Sequence, residues 1–81
     1  MSYTFNFEEV CFINQLITTD DKEAVMKEID NLIPYTENDT LKKSLISLSR
    51  KLITMDNETF RRIYSDKING RVLTCPMYSI E

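Results

Sequence analysis

The sequence predicts a mainly α fold: a compact four-helix domain whose short extended N- and C-terminal segments meet, most simply as a small β-ribbon. Three observations predict it. Apolar residues recur at helical spacing in four successive stretches. Asn or Asp residues stand where three of those stretches need a cap. The first residues alternate strictly, with Tyr3, Phe5 and Phe7 on one side and Thr4, Asn6 and Glu8 on the other, which is strand periodicity.

The elements follow in order. Asn6 is placed to cap a helix that begins near Phe7, with Glu9 three residues on to complete a capping box. This helix is expected to reach Thr18. Phe7, Val10, Cys11, Ile13 and Ile17 cover one arc of it, and Phe12 and Leu16 form a second apolar stripe beside Glu9. In "DDKE", Asp20 is the expected cap of the second helix, with acids in a first turn where the helix dipole favours them. Val25, Ile29, Leu32 and Ile33 give its apolar face, and Pro34 stops it. In the third helix Leu41, Leu45, Leu48 and Leu52 line one stripe, while Ile46 and Ile53 lie roughly 100–140° away at ~100° per residue. Two stripes imply more than one neighbour, so this helix should be central. Lys43 and Arg50 take the solvent side.

Asp56 caps the fourth helix, whose apolar face is Phe60, Ile63, Tyr64 and Ile68. Gly70, the only glycine in the chain, then stands where a helix ends on a left-handed residue. Beyond it, "RVLTC" (71–75) is rich in β-formers and is the expected partner of "YTFNF" (3–7). A tail that orders only on a partner is the alternative.

Eighty-one residues suffice for a single domain spanning 1–81, burying roughly 60% of the unfolded surface. Cys11 and Cys75 are far apart and outside any CxxC pair, so both are expected as free thiols in a cytoplasmic protein. The opening residues are acidic, unlike a signal peptide, and no apolar run is long enough to span a bilayer, so no membrane partner is expected. Scarce Ala, Gly and Pro beside plentiful Asn, Ile and Lys suggest an AT-rich gene, hence a low-GC bacterium, a phage or a plasmid.

The residue inventory argues against an enzyme. Without histidine there is no imidazole base and no Ser–His or Cys–His nucleophile pair. One glycine cannot build a phosphate-cradling loop, and "DNLIPYTENDT" lacks the order and turn glycine of an EF-hand. No catalytic, cofactor-binding or metal-binding residue is assigned, and no cofactor is expected.

Charge points instead to binding. Residues 1–40 carry nine acids and two bases, a net −7, whereas 41–81 carry eight bases and four acids, a net +4. The expected function is a non-enzymatic regulator or inhibitor that binds another protein, a basic or nucleic-acid-binding one, or a second copy of itself. Its expected contact is an apolar patch, Phe12 and Leu16, with an acidic rim of Glu8, Glu9 and Asp20. The alternative is a helix-turn-helix-like regulator that touches nucleic acid through Arg61, Arg62 and Lys67. It is less favoured, because the chain as a whole is acidic.

Overall fold

Each turn of the chain can be followed from its caps. The structure, a computed structural model, describes residues 3–72 and 77–80. After β1 (Tyr3–Phe5), Asn6 starts α1 (Phe7–Leu16) through a reciprocal pair of bonds. The Asn6 side chain accepts from the Glu9 N–H at 2.9 Å, and the Glu9 carboxylate accepts from the Asn6 N–H at 3.1 Å. The helix stops at Leu16, short of Thr18, because Ile17 leaves helical geometry to bury its side chain completely.

The second cap falls one residue later than the spacing predicts. Asp21, not Asp20, accepts from the N–H groups of Glu23 and Ala24 at 3.1 and 3.4 Å and begins α2 (Lys22–Leu32). Thr19 accepts from the Asp21 N–H at 3.3 Å, which leaves Asp20 in the bend before the helix. This start lets the Lys22 ammonium reach the Met55 carbonyl at 2.6 Å, at the C-terminal end of α3 (Asp39–Thr54). Pro34 does not itself end α2. The helix closes at Leu32 and tightens into a 3-10 turn, Ile33–Tyr35, where the missing proline N–H is not needed.

Asn38 caps α3 by accepting from the Leu41 N–H at 3.1 Å. The helix packs against both α1 and α2, as a central helix must. Its inward side is Leu45, Leu48 and Leu52, flanked by the buried Ser44 and Ser49. The Ile46–Ile53 stripe is only partly covered: Ile46 is half-buried and Ile53 is 59% exposed. Leu41, expected inside, is 39% exposed.

After Met55, Asp56 accepts from the Thr59 N–H at 2.8 Å and opens α4 (Asn57–Ile68). Phe60 and Ile63 enter the core, whereas Ile68 stays exposed. The helix ends as a lone glycine there implies. Gly70 takes φ +76°, its N–H bonds the Lys67 carbonyl at 3.1 Å, and the Arg71 N–H bonds the Asp66 carbonyl at 2.9 Å. That pair of bonds is a Schellman closure.

The chain ends do pair, but the partner of β1 lies further along than "RVLTC". It is β2 (Tyr78–Ile80), antiparallel, with Tyr3 opposite Ile80 and Phe5 opposite Tyr78. Arg71 and Val72 belong to the turn after α4, and residues 73–75 of the expected strand lie outside the described residues. Tyr78 and Ile80 face inward, and the Tyr78 ring stacks on Phe5 with 5.9 Å between centroids. The Tyr78 hydroxyl donates to Asp66 of α4 at 2.5 Å. One continuous core joins ribbon and helices, running from Phe5 through Ile13, Ile29 and Leu48 to Phe60.

Candidate protein-binding surface

The residues expected to form a patch on α1 are mostly committed to the interior. Leu16 is only 7% exposed and belongs to the core, and Phe12 is half-buried against it. This follows from the position of α1, which packs against β1, α2 and α3 and so needs apolar contact on more than one side. Phe7, assigned to the inward arc, is instead 60% exposed at the first turn.

Glu9 is not part of a rim either. It is 1% exposed and holds the Lys51 ammonium with both carboxylate oxygens, each at 2.9 Å. Lys51 also donates to the Thr4 carbonyl at 2.7 Å and lies 5.0 Å from the centre of the Phe5 ring. One ammonium thus ties α3 to the start of α1 and to β1. Its role is structural, since every donor direction meets a group of the fold. Glu8 is half-buried, and of the five expected contact residues only Asp20 is exposed.

More of the exposed acids lie on α2 and its lead-in than on any other element. Asp20, Asp21, Glu23, Glu28 and Asp30 are all exposed. Asp21, Glu23, Ala24, Met26, Lys27 and Asp30 line an open hollow of about 540 Å³, to which Ala24 and Met26 contribute apolar surface. Glu23, Lys27 and Asp30 run down the middle of this face, with Met26 and Ala24 on its two flanks, so the expected apolar centre with an acidic rim becomes, one helix later, a mainly acidic strip with apolar edges. The period of α2 could have indicated it: Val25 and Ile29 turn inward, and Glu23, Lys27 and Asp30, at i, i+4 and i+7, share the opposite side.

The residues of the nucleic-acid alternative are spread around α4. At ~100° per residue Arg61, Arg62 and Lys67 point roughly 100–140° apart, and Lys67 is half-buried. Arg61 shares a hollow of about 250 Å³ with Asp20, Asp21 and Glu23, so it faces acids across the α2–α4 boundary.

Among titratable groups, Asp56 has its pKa held below the ordinary carboxylate value by hydrogen bonds from the Thr59 side chain and then its backbone N–H. That shift belongs to a helix cap. Cys11 is a free thiol, and Cys75 lies outside the described residues. Among the described residues no group of three or more His, Cys, Asp or Glu is arranged to hold a metal ion, and no helix is long and apolar enough to cross a membrane. No protein-family model, curated protein or solved structure matches the chain.

Proposed function

We propose that this chain is a non-enzymatic regulator or inhibitor that binds another protein by covering a basic surface on it with the exposed face of α2. The observation that carries the reading is the hollow on that helix, where Asp21, Glu23 and Asp30 outnumber Lys27 and where Ala24 and Met26 form the flanks. Acidic side chains speed encounter with a basic surface and set its orientation, while the apolar flanks add desolvation energy that charge alone lacks. The Glu9–Lys51 pair supports the reading indirectly. It withdraws Glu9 from the surface of α1, and Glu8 is half-buried, so neither acid of α1 is as open as those of α2.

Titrating the full chain with an amphipathic peptide bearing lysine and leucine, followed by amide resonances, tests this. Shifts centred on residues 20–30 are expected, with tighter binding than oligolysine of equal charge because Met26 and Ala24 also make contact. A Glu23→Lys, Asp30→Lys variant should keep its melting temperature and lose the peptide. Shifts elsewhere, or an unchanged response in the variant, would sink the reading.

A further inference from the structure

α3 carries a stripe of alternating basic and apolar residues that the fold covers only in part, since Lys42 and Ile46 are half-buried. Lys42, Ile46, Arg50 and Ile53 follow one another at i, i+4, i+8 and i+11, a single helical line on the side turned from the core, with Lys43 beside it. Ile53 is more than half exposed, and Arg50 and Lys43 are exposed. Among the described residues Lys42, Lys43 and Arg50 enter no ion pair. Lys51, on another side of the helix, is the α3 base used inside the fold.

We infer that this stripe is a self-association surface, and that its occupant is α2 of a second copy of the chain. Charge complementarity argues for that occupant. The stripe is basic beside isoleucine; the face of α2 is mainly acidic with methionine at its edge. The spacings match as well. Glu23 and Asp30 are seven residues apart, as are Lys43 and Arg50, so each pair spans roughly 10 Å of helix at ~1.5 Å per residue.

The chain path supplies the symmetry. α2 and α3 are antiparallel neighbours, because Lys22 at the start of α2 bonds Met55 at the end of α3, while the 3-10 turn joins their other ends. A two-fold axis along the pair lays α2 of each copy on α3 of the other, which uses both surfaces twice and closes as a dimer. The acidic half of this contact rests on the reading of α2 given above. Lys27 lies on the α2 face as a like charge to the incoming bases, so it opposes the contact.

The test is sedimentation of the full chain over a range of concentrations, at low and high salt. A monomer–dimer equilibrium is expected, weakened about tenfold or more by salt. Arg50→Glu should weaken it by a similar factor, adding Glu23→Arg to Arg50→Glu should restore it, and Lys27→Glu should tighten it. Melting temperatures establish that each variant is folded, and Ile53→Ser gives the same loss without a charge change should Arg50→Glu unfold. A chain that stays monomeric, a dimer indifferent to salt and to the charge exchange, or species growing beyond the dimer would each overturn the inference. A monomer whose α2 amides still respond to the lysine–leucine peptide would sink this contact alone and leave the α2 reading standing.

Discussion

Replacing Lys51 by methionine isolates the one interior ion pair of the described residues. The Glu9 side chain is 2% exposed and that of Lys51 28%, so the pair is buried at one end and wet at the other. Without the ammonium, the Glu9 carboxylate keeps a single bond, from the Asn6 N–H at 3.1 Å, and the Thr4 carbonyl loses its 2.7 Å donor. Removing one partner of a fully buried pair costs about 3–5 kcal/mol. Here water can follow the departing ammonium from its exposed end, which puts the expected cost at about 3 kcal/mol. For a domain of this size that lowers the melting temperature by roughly 12–24 °C. Glu9→Gln should cost about 1 kcal/mol, because Lys51 reaches solvent at its open end and keeps the Thr4 carbonyl. Combining the two changes should cost less than their sum, since the methionine then buries no charge. Urea unfolding of the four proteins measures all three quantities. Equal single costs that simply add would refute the argument and make the pair an ordinary screened surface contact.

Other consequences can be measured in the same way. A Cβ on Gly70 would meet nothing within 4 Å, so Gly70→Ala should lose only the left-handed backbone preference, roughly 1 kcal/mol, and Gly70→Asn less; a thermal melt matching the parent would contradict this. Leu16→Ala should cost ~2–5 kcal/mol as a core truncation, and an unaltered urea midpoint would return Leu16 to the surface. Removing residues 77–81 uncovers Phe5 and takes away the buried Tyr78 and Ile80, an expected loss of about 3–6 kcal/mol by urea unfolding. Because the folded pKa of Asp56 lies below its unfolded value, the cap contributes above the unfolded pKa and fades as pH falls through the folded one; Asp56→Ala should therefore differ from the parent at neutral pH and converge with it in acid, as circular dichroism can follow.

What the sequence made legible was local. Asn6, Asp56 and Gly70 act on atoms within four residues of themselves, so spacing alone identified them. Asp20 and Asp21 compete for one cap, and the choice depends on Thr19 and on where Lys22 must reach, which includes an atom in another helix. The strand partner was missed for a related reason. Tyr78 and Ile80 alternate as Tyr3 and Phe5 do, but three-residue strands carry little periodic signal, and β-propensity favoured "RVLTC" before Pro76. Glu9 shows the limit most clearly. Its part in the capping box is written three residues away, whereas its burial depends on Lys51, 42 positions further on.

The same distinction explains how the divided charge survives folding. Contacts between the two halves remove particular charges from the surface: Glu9 takes Lys51, and Lys22 turns to the end of α3. These contacts lie where helices abut, so they draw on the inward flank of each element. The outward sides keep what the sequence placed there, acids on α2 and bases with isoleucine on α3. Folding therefore sorts the charge by face and leaves two adjacent helices of opposite sign. An adjacent antiparallel pair of opposite sign is complementary to itself under a two-fold rotation, and equally to any partner that presents a basic helix beside an acidic one. Either occupant would cover Ile53 as well as neutralise α2, so the count of chains in the complex, and not the chemistry of the face, separates them.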